Sequence, residues 1–170
     1  AQKQGKKKVK QTDAEISLEI EAYLPASYLE DPRQKIEIYK RIRQLENADQ
    51  YREVQSDLID RFGDYPVEVE NLLQIGLLKM YADQAQVELI SQVKNKVKVT
   101  FTREVSQKLK AQNFLEALSK TKLRATLKVV TEKMQLEIIM QPKDNTTKVM
   151  TGLQVVLKKI LQFLKDSREK

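Results

Sequence analysis

The chain has 170 residues, of which 41% are hydrophobic and 32% charged, as is typical of one globular domain. Histidine and cysteine are both absent, which excludes Ser-His and Cys-His catalysis, disulfides and the usual zinc sites. The four glycines are widely separated, so no glycine-rich loop can bind a phosphate. We therefore expect no catalytic residues, no cofactor and no metal in this chain.

Charge is distributed unevenly along the chain. Residues 1–10 contain five lysines and no acid; residues 11–85 contain eight basic and 16 acidic residues, a net −8; residues 86–170 contain 18 basic and eight acidic residues, a net +10. Together these give the overall net charge of +7. We interpret residues 1–12 as a basic flexible tail or inter-domain linker, and residues 13–170 as a single α+β domain.

Neither a membrane span nor a signal peptide is indicated, because no apolar run approaches the roughly 20 residues that cross a bilayer. The lack of cysteine fits a reducing compartment. We therefore expect a cytoplasmic location. The first residue is Ala rather than Met, which suits a piece of a longer protein.

The first elements in the chain are marked by local signals. Apolar and polar residues alternate over 16–22, which predicts a half-buried strand. Asp31, as an N-cap, and the proline that follows it predict the start of a helix. Asn47 predicts the start of the next helix, over about 48–62.

This second helix ends in a sharp corner. Its apolar stripe consists of Val54, Leu58, Ile59 and Phe62. Gly63 predicts the end of the helix, and Pro66 predicts the start of a long, largely apolar helix that continues to about residue 86. Asp57 and Asp60, three residues apart, lie on the polar side of the second helix as an acidic pair.

The back half combines short strands with two further helices. We expect strands at 87–89 and 97–101, a helix within 104–119, strands at about 123–130 and 134–140, and a last helix at about 146–167. Turns are predicted near Lys94–Asn95 and Glu132–Lys133. The resulting order, βαααββαββα, predicts an α+β fold in which a small, mostly antiparallel sheet packs with about five helices.

Three interpretations of Asp57 and Asp60 are open from the residues alone. Paired carboxylates can act as catalysts, but glycoside hydrolysis needs two of them across a cleft, one with a raised pKa. The pair can instead accept arginine side chains from a partner protein, since Arg–carboxylate pairing is geometrically specific. It can also be an ordinary solvated helix face. A metal site would need more oxygen ligands than this helix offers.

The basic back half favours some contact with nucleic acid through lysine and arginine. However, its only aromatic residues, Phe101, Phe114 and Phe163, each lie on an apolar stripe, so they are expected in the core rather than stacked on bases. The alternative to a protein-interaction domain is therefore a free-standing basic nucleic-acid-binding accessory protein. The contact that we expect is weak and non-specific, through the basic tail.

Two sequence blocks carry a family resemblance. They are RQKIEIYKRIR at 33–43 and LIDRFGDYPVEVENLL at 58–73. In this order and spacing they resemble the C-terminal domain of the bacterial transcription-repair coupling factor family. The resemblance is strong over about residues 14–86 and rests beyond them on element order and length.

The resemblance implies a regulatory role without catalysis. The parent protein of the family is an ATP-dependent double-stranded DNA translocase that binds RNA polymerase, and this chain has none of its motor motifs. In the family, the C-terminal domain packs on a UvrB-like N-terminal module of the same polypeptide and masks the surface that binds UvrA. Arginines of that module meet an acidic pair whose matching positions here are Asp57 and Asp60, with Asp57 replacing a more usual Glu.

Overall fold

The structure, a computed structural model, describes residues 11–169. In chain order its elements are β1 (Glu15–Ser17), α1 (Pro32–Arg43), α2 (Ala48–Phe62), α3 (Val67–Gln84), β2 (Val87–Val93), β3 (Lys96–Phe101), α4 (Arg103–Lys108), α5 (Ala111–Ser119), β4 (Ala125–Val130), β5 (Lys133–Ile139) and α6 (Thr146–Glu169). The predicted α+β class is confirmed. Most of the predicted basic tail, residues 1–10, lies outside the described residues.

Local capping explains why the front helices begin and end where the sequence predicts. The Asp31 side chain accepts a hydrogen bond from the backbone N–H of Arg33 at 2.9 Å, which caps α1. The Asn47 side chain accepts one from the N–H of Gln50 at 2.8 Å, which caps α2. Gly63 ends α2 with a φ of +85°, in a region of backbone space that favours glycine. These three predictions are confirmed.

Two elements differ from the sequence prediction in the back half. The single helix expected within 104–119 is two helices, because Leu109 has extended backbone angles and the Asn113 side chain then caps α5 by accepting from the Lys110 N–H at 2.8 Å. The β4–β5 turn consists of Thr131 and Glu132, both at positive φ, one residue earlier than predicted. The described residues therefore contain six helices rather than about five.

The sheet has five strands in the order β1-β2-β3-β5-β4. Neighbouring strands are antiparallel except β1 and β2, which are parallel with Ile16 opposite Ile90. Only two residues of the predicted first strand, Ile16 and Ser17, pair with the sheet, although alternating burial continues through residue 24. One face of the sheet packs against α3, α5 and α6, and Phe101 and Phe114 lie in this core.

Helix α3 joins two hydrophobic cores and lies between them. One is the core between the sheet and its helices. The other lies between α1, α2 and α3, and includes Ile38, Leu58 and Leu73. Gly76 allows α1 to approach closely, since an added Cβ would lie 2.3 Å from Cγ2 of Ile42. No helix in the described part of the chain is both long and apolar enough to span a bilayer. Thus α1 and α2 form a helical pair fixed to α3 and away from the sheet.

Candidate protein-interaction site

The corner after α2 is held by a pair of partly buried aromatic side chains and by hydrogen bonds from a tyrosine hydroxyl to the backbone. The Tyr28 hydroxyl lies 3.1 Å from the Leu58 carbonyl oxygen and 2.8 Å from that of Gly63, so it can donate to either. The Tyr28 and Phe62 rings pack with their centroids 5.8 Å apart. Since the carbonyl groups at a helix C-terminus lack partners within the helix, this tyrosine fixes the end of α2 to the preceding loop. The polar face of α2 is therefore presented by a rigid element.

Asp57 lies within an ion-pair network that joins α1 to α2. Its Oδ2 atom is 2.6 Å from Nη1 of Arg41 on α1 and 3.1 Å from Nη1 of Arg61, one turn later on α2. Glu37 on α1 lies 3.4 Å from Arg61 and 3.9 Å from Arg41. The network contains two acids and two arginines, so it is neutral. Both arginines contact Oδ2, which leaves Oδ1 of Asp57 without a hydrogen-bond partner among residues 11–169.

This network sets the protonation of Asp57. Hydrogen bonding from Arg41, followed by that from Arg61, holds the pKa of Asp57 below its ordinary value, although burial acts in the opposite direction. The same contact with Asp57, and then that with Glu37, raises the pKa of Arg61. A general acid needs a raised pKa, so Asp57 has the opposite of the property that a catalytic acid requires.

Asp57→Asn is expected to make stability less sensitive to acid. Because the folded-state pKa of Asp57 is lowered, its stabilising contribution is present above the unfolded-state pKa of about 3.9 and is lost as the pH falls through the folded value. At neutral pH we expect the substitution to lower the free energy of unfolding by about 0.5–1 kcal/mol, a small value because the side chain is one-third exposed. Urea denaturation at pH values from neutral to below about 4 checks this. The difference in free energy of unfolding between the variant and the unsubstituted chain should narrow as the pH falls. Asp60→Asn is the matched control, and an equal pH-dependent effect there would contradict the assignment.

Asp60 differs from Asp57 in being exposed. It has no ion-pair partner among the described residues, and neighbouring Ile59 is 44% exposed rather than buried in the stripe that the sequence predicts. An exposed carboxylate beside an exposed apolar side chain on a fixed helix can meet a cationic partner at little conformational cost. The predicted pair is thus not equivalent: Asp60 is available, whereas Asp57 already binds two arginines.

Part of this network could have been recognised from sequence. Arg61 lies four residues after Asp57, the spacing at which helical side chains meet. Arg41 gave no such signal, because it lies 16 residues earlier in the chain and only the packing of α1 against α2 brings it to Asp57. Neither Asp57 nor Asp60 joins a cluster of three or more potential metal ligands in the part of the chain that the structure describes.

Comparison with known proteins identifies related sequences and a related structure. The TRCF domain family model matches residues 18–112, which include α1, α2 and both aspartates. The transcription-repair-coupling factor of Bacillus subtilis (strain 168) is 42% identical over 109 residues, covering 64% of this chain and 9% of that protein. The factor of Staphylococcus aureus (strain USA300) is 45% identical over 78 residues, covering 46% of this chain and 7% of that protein.

A solved structure is similar over nearly the whole chain. The crystal structure of the C-terminal domain of transcription-repair coupling factor has a TM-score of 0.88 and 37% sequence identity, and the match covers 93% of this chain and 98% of that chain. This chain spans about 9% of the length of the full-length relatives, so it corresponds to one domain of them.

Fold and site together define a small α+β domain with a charged helical corner on its surface. The chain belongs to the TRCF domain family. The resemblance to the C-terminal domain of the transcription-repair coupling factor is confirmed by sequence and by structure.

Proposed function

We propose that this chain is a non-catalytic, autoinhibitory protein-interaction domain of a transcription-coupled DNA repair translocase. It packs on a UvrB-like N-terminal module of the same polypeptide and masks the surface of that module that binds UvrA. The parent protein moves on double-stranded DNA using ATP and binds RNA polymerase, and this domain regulates it without performing a reaction.

The observation that carries the proposal is the exposed Asp60 carboxylate on a helix whose end is fixed. It lies within the region that matches the TRCF domain, at a position where the family resemblance implies contact with arginines. Asp57 contributes through its free Oδ1 atom, or by exchanging one of its internal arginines for one from the partner module. Because the internal network is neutral, Asp60 adds an uncompensated negative charge to this face of α2.

The energetics suit a reversible latch. A domain tethered to its partner experiences an effective concentration of around 1 mM. A contact with an intrinsic Kd of about 10 μM would then be closed about 99% of the time, a stabilisation of about 2.7 kcal/mol. Exposed charge pairs contribute about 0.2–1 kcal/mol each, so several of them with modest apolar burial supply this amount. A much stronger contact would prevent opening when the parent engages DNA and polymerase.

In the full-length protein, Asp60→Arg is expected to unmask UvrA binding. Replacing an attractive contact with a repulsive one should weaken the latch by about 1.4 kcal/mol and raise the open fraction about tenfold, from about 1% to about 10%. The apparent affinity for UvrA should rise by the same factor, which a UvrA titration measures. We choose Asp60 because a change at Asp57 would also break the internal network and affect stability.

Glu116→Arg is the matched control, since it makes the same charge change at an exposed position on α5, outside the region that the family model matches. We expect it to leave the affinity for UvrA unchanged. Equal affinities for UvrA in the Asp60→Arg variant and the unsubstituted protein, with both folded, would refute the proposed latch.

A further inference from the structure

The face of the sheet opposite the helices is open to solvent. The side chains that point to the covered face, such as Val97, Val99 and Leu136, belong to the hydrophobic core. Those that alternate with them, including Lys96 and Lys98, point to the other face and join neither hydrophobic cluster. In the described part of the chain, no helix supplies a core for this second face. It is therefore a solvent-exposed surface formed by paired strands.

Strands β3, β4 and β5 make this open face basic. Together they contain four lysines and a single acidic residue, Glu137, and by alternation all five side chains point to the open face. The lysines are Lys96, Lys98, Lys128 and Lys133. Lys133 is paired with Glu88 of β2 at 2.7 Å, so the other three supply the excess positive charge. Strand spacing places β3 and β4 on either side of β5, about 10 Å apart, so the positive charge is spread over a surface rather than along one strand.

Glu137 lies at the centre of this surface and is nearly buried, with 6% exposure. Its two carboxylate oxygens face different lysines: Oε1 is 3.3 Å from Nζ of Lys128, and Oε2 is 3.9 Å from Nζ of Lys98. Burial alone would raise the pKa of Glu137, but the hydrogen bond and charge of Lys128, and the charges of Lys96 and Lys98, lower it overall. Two lysine ammonium groups are thereby drawn together around one negative charge, and the surface keeps an excess of positive charge.

We propose that this open sheet face binds the phosphodiester backbone of duplex nucleic acid. Lys96, Lys98 and Lys128 provide the phosphate contacts, with Lys98 and Lys128 about half exposed. Lysine contacts to phosphates release condensed counterions and carry no base preference. The site is separate from the α1–α2 corner, so it does not depend on the autoinhibitory function proposed above.

The composition of this face fits a duplex better than a single strand or a protein. Binding of single strands relies on aromatic side chains that stack on bases, whereas the only aromatic residue of β3, β4 and β5 is Phe101, which is fully buried in the core. Protein interfaces usually have an apolar centre and few lysines, whereas the centre here is Glu137 surrounded by lysines. The outward-facing phosphates of a duplex are the anions that lysines spread over a surface can contact.

The test measures the binding of a short labelled duplex by fluorescence anisotropy over a series of salt concentrations. We expect the triple variant Lys96→Gln, Lys98→Gln, Lys128→Gln to bind at least about tenfold more weakly at low salt and to reduce the slope of log K against log salt by about 2–3. Three such contacts correspond to an affinity change of about 40-fold between roughly 50 and 200 mM salt. We expect Glu137→Gln to strengthen binding about threefold, because it removes the charge that competes with phosphate for the lysines.

Two controls separate this face from general positive charge. The first control removes the same charge from the exposed side of α6, beyond the covered face of the sheet, by Lys148→Gln, Lys158→Gln and Lys165→Gln. The second control removes the same charge from the run of lysines near the N-terminus, by Lys6→Gln, Lys7→Gln and Lys8→Gln. Both should retain most of the duplex affinity. An equal loss of duplex affinity in either control would overturn the proposal. It would also be overturned if polyglutamate displaced the labelled duplex as effectively as unlabelled duplex does at the same concentration of negative charge.

Folding must be kept apart from binding in the triple variant, because removing its lysines leaves Glu137 nearly buried without its partners. Adding Glu137→Gln to the triple variant removes that unpaired charge. If this quadruple variant melts like the unsubstituted chain and still binds weakly, the proposal stands. If it folds and binds the duplex with full affinity, the proposal fails.

Discussion

Phe114→Ala is expected to lower the free energy of unfolding by about 3–5 kcal/mol. Phe114 is fully buried on α5, and its ring packs edge-on against Phe101 of β3 with the centroids 5.1 Å apart. The substitution removes this pair and leaves a cavity at the junction of the sheet and its helices, where the surrounding side chains can collapse only partly. Since small domains are stable by only about 5–15 kcal/mol, this loss is a large share of the total. Urea denaturation of the purified chain gives the difference directly.

Leu115→Ala is the matched control for this prediction. It truncates the adjacent residue of the same helix, whose side chain is 58% exposed. Its effect should therefore stay within about 0.5 kcal/mol, as for most surface substitutions. If the two variants were destabilised equally, the orientation of α5 on the sheet would be different from that described here.

Gly76→Val is expected to lower the free energy of unfolding by about 3 kcal/mol, at the upper end of the range for overpacked cores. A Cβ atom at this position would lie 2.3 Å from Cγ2 of Ile42 and 3.2 Å from its backbone oxygen, so α1 would have to move away from α3. Valine gains only about 0.4 kcal/mol of helix propensity over glycine, which does not offset this clash. The expected result is a lower urea midpoint together with loosening of α1, detectable as faster amide hydrogen exchange in that helix.

A double-mutant cycle with Ile42→Ala isolates the contact. Ile42 is buried at 4% exposure, so its truncation alone should cost about 2–5 kcal/mol. In the presence of Gly76→Ala the loss should be smaller by at least about 1 kcal/mol, because the new methyl group fills space that Ile42 vacates. Additivity of the two substitutions within about 0.5 kcal/mol would show that this close approach does not limit stability.

The position of α1 also matters for the interaction site. Arg41 is on α1, one residue before Ile42, and it reaches across to Asp57 on α2. A displacement of α1 by the Gly76→Val substitution should therefore release Asp57 from one of its two arginines. The packing of α1 against α3 therefore also affects which charges are paired at the corner after α2.

The amino-acid sequence locates the candidate site but not the ion pairs within it. The i, i+3 spacing places Asp57 and Asp60 on one side of α2, and the helix ends at Gly63 as predicted. Whether the Asp57 carboxylate is free depends on α1. Arg41 on that helix lies 16 residues earlier in the chain and reaches Asp57 only through tertiary packing. The role of the two aspartates in binding a partner stays a prediction.

The sequence by itself determined the front helices, the end of α2 and the approximate positions of most strands, since these depend on hydrogen bonds and side-chain spacing within a few residues. Asp31, Asn47 and Gly63 act on the backbone beside them, so their effect is visible in sequence. Only the tertiary structure decided that Ile16 pairs with Ile90 and that Lys98 and Lys128 surround Glu137. Such contacts form between segments far apart in the chain, where the gain from burial and pairing must exceed the entropy lost in closing long loops.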